Sequence, residues 1–127
     1  MTADAYRKPI CKSAELTISN TTATLLFSLP AHSWVEEIVV HTSVVSAGAT
    51  ISIGTTTTAT ELVSAASVAT ATSNRVAFTG YSELTSVSDI YALIGGAPAA
   101  GGPFRVTVWF TTAKAIGGEM LAKPTQR

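Results

Sequence analysis

The most constraining stretch of the sequence is residues 103–112. Phe104, Val106, Val108 and Phe110 fall on one side of an extended strand, and Arg105, Thr107, Trp109 and Thr111 fall on the other. This period-two alternation is the signature of a strand with one face buried and one wet. Gly101, Gly102 and Pro103 mark its start. A strand so regular and so late in the chain needs earlier strands to pair with, which makes the rest of the chain a sheet scaffold.

Earlier segments supply such strands. Leu16 and Ile18 share a face in a short strand over residues 14–19, and turn-prone Asn20 and Thr21 follow. Residues 22–29 form a second strand, with Leu25, Phe27 and Leu29 together and Leu26 opposite; Pro30 ends it because proline cannot donate to a ladder. These two are expected to form a hairpin. Residues 34–42 carry apolar side chains on both faces, as a central strand would, with Ile38, Val40 and Thr42 on one side. Ile51 and Ile53 alternate with Thr50 and Ser52 up to Gly54. Residues 75–79 and 89–94 add two more strands. The Thr/Ser/Ala-rich residues 55–72 are expected to be a loop with one short helix over residues 61–68, capped by Thr60, with Leu62, Ala65 and Ala66 inward. The expectation is an all-β fold: an antiparallel β-sandwich or jelly roll of about seven to eight short strands with at most a short helix. Residues 1–13 read as an N-terminal arm, 14–112 as the sandwich domain and 113–127 as a C-terminal tail.

Length and charge narrow the class. The chain has 127 residues, one domain's worth, and can bury roughly two-thirds of its unfolded surface without staples. Eight Lys and Arg balance eight Asp and Glu, so the basic excess that nucleic acid or an anionic membrane would demand is missing. Charged residues are only 13% of the chain, and residues 38–60 contain none. An ordinary soluble domain carries about twice that fraction, and the deficit points to a surface that meets other subunits. Cys11 is the single cysteine, so no internal disulfide can form. Residues 1–12 are polar, without the apolar run of a secretory signal, and no apolar run reaches the ~20 residues of a membrane helix. The expected setting is a cytoplasm.

Catalytic chemistry finds no foothold. Glu36 and Glu37 are adjacent, so a regular strand would send them to opposite faces. His32, His41 and Cys11 lack the spacing of a metal site. Gly80-Tyr81-Ser82-Glu83-Leu84 lacks the closing glycine of a nucleophile elbow, and Gly102-Pro103 stands where a phosphate loop needs Lys and Ser/Thr. No cofactor, catalytic residue or metal ligand is assigned. Trp34 and Trp109, with Tyr81 and Tyr91, could stack on sugars, but Trp109 is read as packing at a subunit interface or against the second sheet.

The order of elements resembles the small β-sandwich structural proteins of tailed bacteriophages, of the capsid-decoration or head-fibre kind. The residues that carry the likeness are Leu29-Pro30-Ala31, the apolar strand over 35–40, Ala49-Thr50-Ile51-Ser52-Ile53-Gly54-Thr55, the Ser/Ala-rich residues 61–71 and the closing strand 104–110. The resemblance implies a non-catalytic virion protein, made in the host cytoplasm, that stabilises the head by binding the major capsid protein or other virion subunits. It implies a homo-oligomer, a trimer above other states, with neither nucleic acid nor membrane as partner. Tyr6, Arg7 and Lys8 of the arm, with Trp34 and Trp109, are then the candidate contact residues. The alternative is a carbohydrate- or receptor-binding sandwich of a phage tail or fibre.

Overall fold

A computed structural model describes residues 10–69, 71–79 and 84–112. Eight strands run in chain order: β1 (Ile10–Leu16), β2 (Thr24–Leu29), β3 (Ser33–Thr42), β4 (Thr50–Gly54), β5 (Val63–Ser67), β6 (Ser73–Val76), β7 (Ser88–Gly95) and β8 (Phe104–Thr112). They form two four-stranded sheets, ordered β1-β8-β3-β6 and β2-β7-β4-β5, with every pairing antiparallel. The architecture is the expected β-sandwich.

The closing strand earns its central place through its alternation. β8 pairs with β1 on one side, from Leu16 opposite Phe104 to Ile10 opposite Phe110, and with β3 on the other, from Thr42 opposite Phe104 to Ser33 opposite Thr112. Phe104, Val106, Val108 and Phe110 are at most 1% exposed. With Leu16, Ile38 and Val40 they meet Ile51, Ile53, Ile90, Ala92 and Ile94 of the second sheet in one core cluster. Each such aliphatic or aromatic side chain contributes about 1.5–3 kcal/mol on burial.

Five local expectations are corrected. β1 and β2 do not form a hairpin: residues 17–23 carry the chain from the first sheet to the second, and β1 bonds to β8 while β2 bonds to β7. The turn that ends β1 is closed by Asn20, whose Oδ1 accepts from Thr17 N at 2.7 Å while its own N donates to Thr17 O at 3.0 Å. β1 therefore starts and stops earlier than the expected strand over 14–19. The register slips between Leu25 and Phe27, so Leu25, opposite Tyr91, points outward and Leu26 and Phe27 pack on the core.

The expected helix over 61–68 is absent; Val63–Ser67 is strand β5, paired with β4. β-Branched Val63 and a free edge on β4 favour the ladder. Ser52 accepts from Ala65 N at 3.0 Å, satisfying a backbone donor where the pairing slips between Ile51 and Ile53.

Finally, Glu36 and Glu37 are not on opposite faces. A bulge between Val35 and Glu37 inserts one residue. Glu37 then faces outward opposite Trp109 and pairs with Arg75 (Nε–Oε2 2.6 Å), while Glu36 accepts from Thr111 Oγ1 at 3.0 Å on the same side.

Candidate interaction surfaces

Because β8 buries its even-numbered residues, its odd-numbered residues define the outer face of the first sheet. Registers place the neighbours in rows. Trp34 lies opposite Thr111; Cys11, Trp109 and Glu37 form the next row; then Ser13, Thr107 and Val39; then Glu15, Arg105 and His41, with Ser73 of β6 beyond. Trp34 and Trp109 are thus diagonal neighbours across β3 and β8, a spacing that aromatic rings bridge. Trp34 is half-buried and Trp109 is 37% exposed. Trp109 faces away from the second sheet, which corrects the reading that it packs there. Tyr6, Arg7 and Lys8 lie outside the described residues.

An open cleft of about 390 Å³ sits at one end of this face, lined by Glu15, His41, Thr42, Ser43, Thr72, Ser73, Pro103 and Arg105. Arg105 Nη2 donates to Glu15 Oε2 at 3.3 Å, so the one carboxylate lining the cleft is already paired. Glu15 and His41 stand on strands either side of β8, roughly 10 Å apart at strand spacing, too far for a direct acid–base pair. The lining offers hydroxyl and imidazole hydrogen-bonding groups, with Ser73 opposite His41. Among the described residues no group of three or more His, Cys, Asp or Glu is placed to hold a metal ion.

A second polar constellation forms where the sequence shows only a threonine run. The Glu61 carboxylate folds back over the start of the β4–β5 connection. Its Oε1 accepts from Thr55 N at 3.0 Å, and its Oε2 accepts from the hydroxyls of Thr56 and of Thr58, the latter at 2.8 Å. The Thr56 hydroxyl, then that of Thr58, hold its carboxyl down at about 2, against the opposing pull of desolvation. Both of its oxygens accept from the loop, which makes it a clasp on the β4–β5 connection.

The third feature is a distribution. The described charged residues are confined to two regions. Glu15, Arg105, Glu36, Glu37 and Arg75 occupy the outer face of the first sheet. Lys12 ties β1 to β2 by donating to Ser28 O at 2.7 Å. Asp89, which accepts from Ser28 Oγ at 2.5 Å, and Glu61 lie toward the end where Ile10 and Thr112 also lie. The opposite end is built from residues 17–23, 43–49, 68–69, 71–72 and 96–103; none of these is Asp, Glu, Lys, Arg or His, while Glu15, His41 and Arg105 stand at its rim in the cleft. Sequence reading found the uncharged run over 38–60 but could not see that three distant segments join part of it at one end.

No protein-family model matches the chain, and no curated protein matches it. Solved structures do share its fold. A chain in the acidic stable capsid structure of Helicobacter pylori bacteriophage KHP30 is 16% identical, with 85% of this chain and 91% of that chain covered and a TM-score of 0.65. A chain of the cyanophage Pam1 capsid asymmetric unit is 19% identical, with 87% and 90% covered and a TM-score of 0.58. A chain of the capsid of Ralstonia phage GP4 is 16% identical, with 91% and 90% covered and a TM-score of 0.59.

Proposed function

We propose that this protein is a structural component of a bacteriophage virion, a capsid decoration or cement protein that stabilises the head by binding other capsid subunits. The observation that carries the reading is the fold likeness to three chains from phage capsid structures, which spans nearly the whole of each compared chain. The strand order β1-β8-β3-β6 over β2-β7-β4-β5 supports reading the sandwich as a jelly roll, an architecture that viral capsid domains use. The low charge suits a role in which modest contacts repeat over a lattice and add through multivalency. In this reading the protein is not an enzyme, and its paired cleft residues serve the surface.

Co-sedimentation with capsids that lack this chain tests the reading. The protein should pellet with the capsids in a fixed, saturable ratio and raise the temperature at which they break open. Failure to bind at any concentration overturns it.

One observation favours a second reading. Trp34 and Trp109 are diagonal neighbours on an outer face, with a hydroxyl-bearing cleft further along; aromatic platforms flanked by polar groups suit a saccharide. A glycan array should then show signals that Trp34→Ala and Trp109→Ala each abolish. Capsid binding that survives both substitutions, with no glycan signal, leaves the structural role alone.

A further inference from the structure

The row Glu15, Arg105, His41, Ser73 crosses all four strands of the first sheet, and each of the four residues lines the open cleft. At about 4.8 Å per strand the row is roughly 14 Å long. Ser43, Thr72 and Pro103 join it from the ends of the adjoining connections. Those connections are tied down. Thr42 N donates to Thr72 O at 2.9 Å, and Thr42 Oγ1 and Gly102 N both donate to Val44 O at 2.9 Å. Gly101, at φ +114°, lies so near Ser46 that a Cβ would stand 1.8 Å from its Oγ. The walls therefore need little ordering before a ligand binds. Among the described residues, none bonds to the side chains of His41, Ser43, Thr72 or Ser73, so the fold does not spend these groups. The volume, about 390 Å³, falls within the ~300–1,000 Å³ usual for small-molecule sites.

The mix of groups selects the ligand. Glu15 and Arg105 are opposite in sign and 3.3 Å apart. An anion drawn to Arg105 meets Glu15, and a cation drawn to Glu15 meets Arg105. An apolar ligand would strip water from both and return no hydrogen bond. A neutral polyol answers every group. Each of its hydroxyls both donates and accepts, so one of two adjacent hydroxyls can donate to the carboxylate while the other accepts from the guanidinium. The Ser and Thr hydroxyls have the same double capacity, the imidazole brings two ring nitrogens, and the Pro103 ring offers an apolar wall to the C–H face of a sugar. The same face continues toward the tryptophans. Arg105 and Trp109 are both exposed on β8, four residues or ~13 Å apart, with Thr107 between them. A short oligosaccharide anchored in the cleft reaches the Trp109 ring.

We infer that this cleft holds the end unit of a neutral oligosaccharide, with two adjacent hydroxyls on the Glu15–Arg105 pair. The assignment rests on the saccharide reading given above and adds the contacts that select a ligand, which stacking on tryptophan does not. A single open cleft binds such a ligand at a Kd on the order of millimolar. Many copies on one particle would offset that weakness through multivalency.

The test is an array of neutral, sialylated and sulfated oligosaccharides, probed with the full chain coupled densely to beads. Titration of isotope-labelled protein with the strongest neutral binder, followed by amide NMR spectra, then locates the contact. Neutral glycans should give the signal, and the amides of Ser43, Thr72, Ser73 and Arg105 should shift. Glu15→Gln and Arg105→Lys should each weaken binding by about tenfold, and Ser73→Ala by less. The melting transition should be kept, because all three side chains are exposed. Ser64→Ala, on β5 of the second sheet, should bind as the unaltered protein does. Binding that Trp34→Ala and Trp109→Ala abolish but the cleft variants leave intact overturns the cleft assignment and keeps the saccharide reading. A signal confined to sialylated or sulfated glycans overturns the ligand class assigned to the cleft. Silence from every glycan overturns the cleft assignment and the saccharide reading together, and leaves the capsid role to co-sedimentation.

Discussion

Single residues in this protein act through what they crowd or hold. Gly54 closes β4 where a Cβ would stand 1.9 Å from Glu61 Oε1, 2.7 Å from Thr60 N and 2.8 Å from Ala59 Cα. Gly54→Ala should therefore cost about 1–3 kcal/mol by overpacking, read as a lower urea midpoint. Glu61 is the chemical side of the same clasp. Its carboxyl titrates at about 2 in the folded chain against an ordinary 4.5. The unfolded chain therefore binds more protons between these values, and stability rises with pH across that window. The contribution is complete above pH 4.5 and is lost as pH falls through about 2. Glu61→Gln should lower stability by about 1 kcal/mol at neutral pH, after allowance for solvent screening. The gap between the two proteins should close on acidification, as urea melts at several pH values would show. A gap that does not change with pH would deny the clasp its charge.

At the scale of elements, β8 is the strand whose two sides have different jobs. Phe110→Ala removes a side chain 1% exposed at the junction of β1, β3 and the second sheet, and should cost about 3–5 kcal/mol. Thr107→Ala, one strand face away, should stay within about 0.5 kcal/mol. Chemical denaturation of the two variants side by side measures that contrast. The same strand shows why alternation was readable here and failed elsewhere. In β8 no residue is inserted, so parity holds from Phe104 to Phe110. In β2 and β3 one inserted residue each, at Leu26 and Glu36, resets the parity. That is why Leu25 turned out to be exposed and why the two adjacent glutamates share a face. Nothing in a local window announces a bulge, because it is fixed by the partner strand's register. β5 illustrates the complementary failure: Ala-rich residues 61–68 suit a helical turn locally, but β4 offers an unpaired edge, and only the assembled sheet supplies that edge.

For the whole molecule the governing fact is the sorting of charge. Ion pairs such as Glu15–Arg105, at 3.3 Å and more than half exposed, occupy one sheet face. Each is worth little on its own, so Glu15→Ala should change stability by less than about 1 kcal/mol. Their placement matters more than their strength, because it leaves the loops over 17–23, 43–49 and 96–103 without a charged residue of their own. Capsid binding measured as salt is raised to about 1 M, where exposed charge interactions are screened beyond ~3 Å, should fall if the charged face makes the contact and persist if the uncharged loops do.

The sequence alone determined the fold class, the strand that dominates it and the inward residues of that strand, because burial of a regular strand is written in its own alternation. It also determined that charge is scarce, a fact of composition. Tertiary structure alone decided which strands pair, where the inserted residues flip a face, and how Trp34 and Trp109 come together. It also gathered residues 17–23, 43–49, 68–69, 71–72 and 96–103 at one end, beside the cleft that Glu15, His41 and Arg105 help line. The reason is physical: alternation is local and repeats every two residues, whereas register, bulges and surface neighbours depend on backbone hydrogen bonds between segments that are as far apart in the chain as β1 and β8.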